Sequence, residues 1–288
     1  MTTVLIVGCG YTGLRLATQL LAEGTRVYGL VSSEASGARL QGAGVTPVIA
    51  DLDSAAQLTS RLPAAEQVVY LAPPPREGLQ DLRIDRVLGA LGAGPDALIY
   101  ASTSGVYGNC GGAWVDEKRP PNPESERARR RLDAEARINA WARDHERRAV
   151  ILRVAGIYGP DRLPLPRLRA GTPVICPDEA PYTNRIHVDD LATACRTALA
   201  SGSGTYNVAD DQPTTATAYF YRVADRAGLP RPPCVGMAAA PEVLSPMMLS
   251  FLRESRRLDN RRLRKELGVR LQYPDLESGL ASLLPAGA

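Results

Sequence analysis

VLIVGCGYTG, residues 4–13, decides the fold of this 288-residue chain. An aliphatic run leads into three spaced glycines, the pattern of a buried parallel strand that ends in a tight turn before a helix. The missing side chain of Gly10 lets a pyrophosphate approach the backbone, and the amide groups and dipole of the helix stabilise its charge. A purely structural glycine turn is the alternative. The residues predicted to bind a dinucleotide here are Gly8, Gly10, Tyr11, Thr12 and Gly13.

Composition and charge exclude several classes of protein. The net charge of +3 gives no reason to expect nucleic acid or a membrane surface as a partner. No apolar segment approaches the length of a membrane span, and no basic leader with a cleavage site precedes the first strand. We therefore expect a cytoplasmic protein, a monomer or homodimer, whose partner is a small-molecule substrate.

The five cysteines are odd in number and widely scattered. This distribution argues against a disulfide framework and against a zinc site. We expect most of them to be small buried hydrophobic residues, and we expect no metal.

Strand and helix patterns alternate through the first half of the chain. Because parallel strands need crossover connections that cover both faces, the order predicts an α/β fold. We expect a Rossmann-like, doubly wound parallel sheet with its ligand crevice at the carboxyl ends of the strands. The strand signals after the first are TRVYGLV, TPVIADL, QVVYLAP, ALIYAST and AVILRVA.

The amino-acid composition changes after Gly156, where proline-rich segments favour loops and short helices. GTYNVAD, residues 204–210, reads as a further strand of the sheet. The prediction is therefore a nucleotide-binding domain of residues 1–155 and 185–210. Residues 156–184 and 211–288 would form a smaller, discontinuous substrate lobe.

The end of the second strand bears on the choice of cofactor. An NAD site usually places a carboxylate there to hold the ribose, but this strand ends in Ser32 and Ser33. Two hydroxyl groups, with Arg15 and Arg39 nearby, are able to receive a 2′-phosphate. We therefore expect NADP, with NAD possible because Glu34 is close. The two arginines are equally explained as solvated helix charges.

Two further strand ends should contribute to the same crevice. Asp51 and Leu52 follow the third strand, where a carboxylate accepts from the adenine amino group and an aliphatic side chain packs on the ring. A helix cap is the alternative for Asp51. Ala72 and Pro73 follow the fourth strand and are expected to line the crevice.

Several motifs together resemble the extended branch of the short-chain dehydrogenase/reductase superfamily, the group of nucleotide-sugar epimerases and dehydratases. The resemblance covers nearly the whole chain and implies bound NAD or NADP and a C-terminal lobe that closes over the substrate. Besides the glycine-rich turn, the motifs are YASTSGVYG (100–108), LRVAGIYGP (152–160), RIHVDDLA (185–192), TYNVAD (205–210), RRLRKELG and YPDLESGL.

In that family a Ser or Thr, a Tyr and a Lys assist hydride transfer, and this chain departs from the pattern. Thr103 falls on the Ser/Thr position, with a turn hydroxyl as the alternative. The Tyr-x-x-x-Lys pair is absent, and the resemblance places Arg127 and Arg131 at its two positions. A guanidinium stays charged and cannot relay a proton, but it presents a fork of donors to a phosphate or carboxylate. Both arginines are also explained as part of a solvated helix face.

Other candidate residues have competing structural roles. Asp85 stands where the family usually has an Asn, so it is a candidate proton acceptor, an ion-pair partner of the arginines or a surface residue. His187 is expected to brace the domain junction, with Asp189 or Asp190 as hydrogen-bond partners. Tyr158 lines the substrate crevice or the domain junction.

Two functions remain open at this stage. The first is an NAD(P)-dependent oxidoreductase or epimerase/dehydratase-like enzyme with a non-standard active site, acting on a small, anionic or sugar-nucleotide substrate. Its candidate catalytic residues are Thr103, Asp85, Arg127 and Arg131. The second is a non-catalytic NADP(H)-binding redox sensor, which the absence of the proton relay favours.

Overall fold

A seven-stranded parallel sheet forms the centre of the protein, as the alternating pattern predicts. The computed structural model describes residues 2–284. The strands are β1 (Thr3–Val7), β2 (Arg26–Val31), β3 (Thr46–Ile49), β4 (Gln67–Tyr70), β5 (Ala97–Thr103), β6 (Trp114–Val115), β7 (Arg148–Val154), β8 (Gly156–Tyr158), β9 (Val174–Ile175), β10 (Tyr182–Thr183), β11 (Arg185–His187), β12 (Gly204–Val208), β13 (Thr214–Thr215), β14 (Cys234–Val235) and β15 (Arg257–Leu258).

Helices connect these strands and cover both faces of the sheet. They are α1 (Tyr11–Ala22), α2 (Glu34–Gly42), α3 (Ala55–Arg61), α4 (Leu82–Leu91), α5 (Glu126–Asp144), α6 (Leu165–Arg169), α7 (Val188–Ala200), α8 (Ala216–Arg226), α9 (Ala240–Val243), α10 (Pro246–Leu252), α11 (Arg261–Lys265) and α12 (Leu276–Leu283). A 3-10 turn, Ser104–Tyr107, follows β5.

The order across the sheet is β12-β7-β5-β4-β1-β2-β3, and every neighbouring pair is parallel. Strand order reverses at β1, so crossovers run in both directions from it. The carboxyl ends of all seven strands lie on one edge. The loops after β1, β2 and β3 therefore meet on one side of the reversal, and those after β4 and β5 meet on the other.

Two apolar layers sandwich the sheet. One packs helices α1 and α7 against the strands, and it contains the predicted face of α1 through Leu16, Ala17 and Leu20. The other packs α3, α4 and α5 on the opposite face, with Ile84 and Ile138 among its fully buried residues. Because both faces are covered, the central strands are apolar without alternation.

The segments predicted to form the smaller lobe consist mainly of short elements, as their proline content predicts. Its packing centres are two separate apolar clusters, one joining α8 and α12 to Leu168 and one joining α9 and α10 to Ile175. The segment around β15 and α11 behaves differently from the rest of residues 211–288. Leu258, Leu263 and Leu267 belong to the apolar layer of the sheet, and β15 pairs with β6.

The cysteines differ from the expectation in two respects. Cys176 and Cys234 form a disulfide, with Cα atoms 4.8 Å apart across a sequence separation of 58 residues. The two cysteines are far apart in the sequence, but folding brings them together because β9 and β14 pair side by side. Cys9 and Cys195 are buried, but Cys110 and Cys176 are half-buried and Cys234 is exposed, so the expectation that most of the cysteines are buried is wrong. No helix within residues 2–284 has both the length and the apolar character needed to cross a membrane.

Candidate active site

The glycine turn after β1 has the geometry of an anion site. Gly8 has φ +81°, and a Cβ there would lie 2.6 Å from the backbone of Ala72. A Cβ on Gly13 would meet Ile6 at 3.1 Å, whereas a Cβ on Gly10 would meet no heavy atom within 4 Å. The first and third glycines therefore serve close packing, and the middle one faces open space.

Helix α1 begins at this open space without any neutralising group of its own. Its N-cap Gly10 supplies no side-chain hydrogen bond, and its first turn contains no acidic residue. The first amide groups of a helix have no partner within it, and its N-terminus carries partial positive charge. The turn therefore fits the pyrophosphate of a dinucleotide.

A crevice of about 340 Å³ extends from this turn along the carboxyl edge of the sheet. Tyr11 lies between two guanidinium groups, since Arg15 and Arg162 each stack on its ring. Its hydroxyl donates to the carbonyl of Pro160 at 2.7 Å. The lining includes the predicted residues Gly8, Gly10, Tyr11, Thr12, Pro73 and Arg131, together with Leu71, Ala101, Ser102, Val154, Ile157, Arg162 and Leu191.

A hydroxyl cluster follows β2. The Ser33 Oγ accepts from the Ser36 amide, and Arg39 Nη2 donates to the Ser36 Oγ at 3.0 Å. Ser32 is exposed beside them. Arg15 does not take part, because its Nε lies 3.1 Å from an Asp189 oxygen.

Asp51 lies in the loop after β3 and does not serve as the helix cap that was one of its two sequence alternatives. Its Oδ1 accepts from the Asp53 amide at 2.9 Å. The N-cap of α3 is Ser54, so Asp51 is not a helix cap. Asp51 is exposed on the carboxyl edge, and the half-buried Leu52 packs against the neighbouring apolar layer. Ala72 is buried, and its backbone carbonyl faces Arg131.

The two arginines at the Tyr-x-x-x-Lys positions face different recesses. Arg131 lines the nucleotide crevice, whereas Arg127 lines a second cavity of about 510 Å³ between the sheet and the smaller lobe. The predicted fork of donors on a single anion is therefore not formed, although the residues are one helical turn apart. Val154 and Ile157 line both recesses and mark where they meet.

Arg131 is anchored toward the sheet. Its Nη1 donates to the Ala72 carbonyl and to the Tyr100 hydroxyl, each at 3.1 Å. Burial lowers the pKa of Arg131, but Tyr100 and Asp81 outweigh this effect and leave it above the usual value. Burial raises the pKa of Tyr100 to about 12. At neutral pH the pair is a fixed cation beside a neutral phenol.

Arg127 stacks on the ring of Phe251, 4.3 Å from its centroid. Both residues line the second cavity, so this contact joins α5 to α10 at the cavity wall. Burial lowers the pKa of Arg127 from its usual value, and Glu254 opposes this effect. The group remains a cation near neutral pH.

Thr103 ends β5 at the wall of the second cavity. Its Oγ1 accepts from the Gly105 amide at 3.1 Å, so the hydroxyl serves the turn as the alternative reading predicts. The hydroxyl hydrogen is still able to be donated. Ser102, the preceding residue, lines the nucleotide crevice and donates to the buried Glu135. Consecutive hydroxyls thus serve the two recesses.

The second cavity carries a strong excess of positive charge. Four arginines and a single carboxylate, Glu254, line it within the described residues. Arg256 Nη1 holds Glu254 at 2.8 Å and also donates to the Gly108 carbonyl at 2.7 Å. Aromatic rings complete the wall. The arginines are Arg127, Arg167, Arg185 and Arg256, and the aromatic residues are Tyr182, Tyr219, Phe220 and Phe251.

Asp85 lies outside both recesses. It sits on the exposed side of α4, where its carboxylate accepts from Arg137 at 2.7 Å. It is an ion-pair partner of an arginine of α5, but of neither Arg127 nor Arg131. The geometry gives Asp85 no access to a substrate beside Thr103.

His187 and Tyr158 lie at the junction between the sheet and the smaller lobe. Both are fully buried, with their rings 5.2 Å apart. The His187 Nδ1 accepts from the Asp189 amide at 3.3 Å, and burial lowers the pKa of this imidazole. Tyr107 is buried too, and its hydroxyl donates to Asn207. These residues pack the junction and do not line either recess.

Sequence reasoning missed most of the second cavity. Arg167 and Arg185 come from a short helix and a short strand, and Glu254 and Arg256 come from the far end of the chain. A signal was available only in the abundance of arginine, since the chain has 34 basic residues and two of them are lysines. Planar guanidinium groups favour phosphate and carboxylate ligands.

Comparison with known proteins agrees with this geometry. Residues 4–209 match the model of the NAD dependent epimerase/dehydratase family. Over 288 aligned residues the chain is 27% identical to protein YeeZ of Escherichia coli K12, covering 96% of this chain and 97% of YeeZ.

Solved structures match nearly the whole chain. A functionally unknown conserved protein from Silicibacter pomeroyi is 31% identical, with a TM-score of 0.82 and coverage of 99% and 98%. MoeE5 in complex with UDP-glucuronic acid and NAD is 25% identical, with a TM-score of 0.78 and coverage of 98% and 97%. With a glycine turn shaped for a dinucleotide and a family match over most of its length, this chain belongs to the NAD dependent epimerase/dehydratase family, in the extended short-chain dehydrogenase/reductase group.

Proposed function

We propose that the protein is an NAD(P)-dependent oxidoreductase or epimerase/dehydratase-type enzyme acting on an anionic substrate of the sugar-nucleotide class. The arginine-rich cavity that joins the nucleotide crevice at Val154 and Ile157 carries this proposal. Four guanidinium groups against one carboxylate favour a ligand with several negative charges. The bound UDP-sugars of MoeE5 and of the Thermotoga maritima UDP-glucose 4-epimerase are of this class.

The nicotinamide of a bound dinucleotide would supply the hydride chemistry. The residues around it bind and orient. Thr103 donates its hydroxyl hydrogen to a substrate oxygen while its Oγ1 stays fixed by the Gly105 amide. Arg127 holds an anionic group of the substrate, and Arg131 binds the ribose next to the nicotinamide. Asp85 has no part in this proposal.

We further propose that the crevice accepts NADP as well as NAD. The support is the hydroxyl cluster after β2, where Ser33, Ser36 and Arg39 are linked and no carboxylate ends the strand. This cluster has no negative charge that would repel a 2′-phosphate, and the Arg39 guanidinium is a charged donor for it. NAD remains compatible because hydroxyl groups also bind the ribose.

The missing proton relay supports a second candidate, a non-catalytic NADP(H)-binding redox sensor. Neither Arg127 nor Arg131 is able to take or give a proton at neutral pH. Among the described residues, the one carboxylate that lines the second cavity is Glu254, which is held by Arg256.

Turnover distinguishes the two candidates. Wild-type protein, Thr103→Ala and Thr103→Ser are incubated with NAD or NADP and UDP-glucose or UDP-glucuronic acid, and reduced nucleotide and sugar products are measured. The enzyme proposal expects turnover that falls about 100-fold in Thr103→Ala and largely returns in Thr103→Ser. Equal turnover in all three proteins would contradict the role of Thr103. Nucleotide binding with no turnover of these anionic substrates supports the sensor.

A further inference from the structure

The disulfide lies at the edge of the arginine-lined cavity. Cys176 follows β9 directly, and Cys234 begins β14. The two strands are parallel and short, joined by hydrogen bonds from Val174 to the Pro233 carbonyl and from Cys176 to the Val235 carbonyl, each 3.0 Å. A Cα separation of 4.8 Å lies within the range that a disulfide requires.

The two sulfur-bearing residues are accessible to solvent to different degrees. Cys234 is exposed and Cys176 is half-buried. Cys9 and Cys195 are buried, and burial raises the pKa of each thiol to about 12, whereas Cys110 is half-buried. A small thiol in solution therefore reaches the Cys176–Cys234 pair more readily than it reaches either of the two buried thiols.

We propose that Cys176 and Cys234 form a reversible thiol–disulfide exchange site for a small thiol of the glutathione class, and that their bond fixes one wall of the cavity. The thiolate of the first thiol attacks the exposed Cys234 sulfur and releases Cys176 as a thiolate, which takes up a proton. A second thiol attacks the mixed disulfide and releases Cys234. Two thiols are oxidised to one disulfide as the protein gains two thiol groups.

The connection to the cavity runs through both strands. Val174 and Ile175 of β9 line the cavity, and the Ile175 carbonyl accepts from the buried Thr217 hydroxyl. After β14, the chain turns at Met237, whose amide donates to Glu179, and continues into α9 and α10. Leu244, which directly follows α9, and Met248 and Phe251 of α10 also line the cavity.

Without the covalent bond, this wall is held by the few backbone hydrogen bonds between the two-residue strands β9 and β14. A cross-link acts mainly by removing open conformations of the chain that it closes. Reduction is therefore expected to loosen β9, β14 and the α9–α10 segment, while the sheet domain is unaffected. This expectation needs no ligand and holds whether or not the proposed enzymatic function is correct.

The first experiment counts thiols. The protein is equilibrated in glutathione buffers from fully reduced to fully oxidised, quenched with acid, alkylated in denaturant and analysed by peptide mass spectrometry. We expect five alkylated cysteines in reduced buffer and three in oxidised buffer, with residues 176 and 234 joined. A constant count across the series, or pairing of other cysteines, would overturn the exchange site.

The second experiment measures amide hydrogen exchange of the oxidised and reduced protein. Peptides covering residues 174–179 and 234–252 should exchange about tenfold faster or more after reduction, and peptides of α1 should not change. Cys234→Ser should behave as the reduced protein in either buffer. Cys110→Ser, a free cysteine outside the pair, is the matched control and should behave as wild type. Identical exchange in the oxidised and reduced proteins would overturn the control of the wall.

Discussion

Arg153 and Glu135 form a buried ion pair next to the nucleotide crevice, in which two nitrogen atoms of the guanidinium group donate to the carboxylate. Its Nη2 lies 2.8 Å from Oε2 and its Nε 3.2 Å from Oε1, with both side chains less than a tenth exposed. The same carboxylate accepts from Ser102 of the crevice. One buried ion pair therefore ties α5 to β7 and positions a crevice hydroxyl of β5.

Breaking this pair should be costly. Glu135→Ala leaves the buried Arg153 cation without a partner, and we expect it to lower the free energy of unfolding by about 3–5 kcal/mol. Urea unfolding followed by circular dichroism measures the loss. The matched control is Asp144→Ala on the same helix, whose side chain is 61% exposed and pairs with the exposed Arg143, and it should cost less than about 1 kcal/mol. A loss below about 1 kcal/mol in Glu135→Ala would refute the importance of the pair.

The glycine turn gives two substitutions with different outcomes. Gly8→Ala places a Cβ 2.6 Å from the Ala72 backbone at a φ of +81°. We therefore expect this substitution to lower the free energy of unfolding by more than about 2 kcal/mol. Gly10→Ala meets no atom of the protein, and we expect its melting temperature to fall less than that of Gly8→Ala. Its added methyl should nevertheless weaken NAD binding at least about tenfold in calorimetry. Unchanged affinity in a folded Gly10→Ala protein would argue against the pyrophosphate position.

The hydroxyl cluster after β2 predicts a cofactor-specific effect. Arg39→Ala should weaken NADPH binding about five- to tenfold and leave NADH binding within about twofold, since only NADPH carries the 2′-phosphate. Fluorescence titration measures both. Arg143→Ala, at an exposed position far along α5, should change neither. If Arg39→Ala weakens the binding of NADPH and NADH equally, the cluster does not bind the 2′-phosphate.

Asp210 should make stability depend on pH. Burial raises the pKa of this carboxyl to about 8, from an ordinary value near 4. The folded protein therefore favours the protonated form, and its free energy of unfolding should fall as pH rises from about 4 to 8. Asp210→Asn should flatten this fall in urea unfolding at several pH values. The exposed Asp144→Asn should keep the wild-type slope, and a wild-type slope in Asp210→Asn would contradict the burial effect.

The sheet could be read from the sequence because its signals are local. Apolar runs, the glycine turn and the strand-end positions each lie within a few consecutive residues, and parallel pairing then brings them to one edge. The arginine-lined cavity could not be read in this way. It collects Arg167, Arg185 and Arg256 from separate segments, and only tertiary folding places them together.

Two site expectations failed for related reasons. Arg127 and Arg131 are one turn apart on α5, but Arg127 lines the second cavity and Arg131 lines the nucleotide crevice, so these neighbours on the helix do not face the same recess. Asp85 occupies a family position in sequence, yet its helix directs it to solvent and Arg137. Sequence spacing fixes the face of a helix, whereas the partner of that face depends on the packing of the whole chain.

Under the proposed enzymatic function, the shared lining at Val154 and Ile157 predicts the order in which coenzyme and substrate bind. A bound nicotinamide would form part of the boundary between the two recesses. A substrate that binds before the coenzyme would therefore lack one wall of its site. The expected scheme is compulsory order, with the coenzyme first on and last off. Product-inhibition patterns that are competitive between the two forms of the coenzyme, and noncompetitive between coenzyme and substrate, would be its signature.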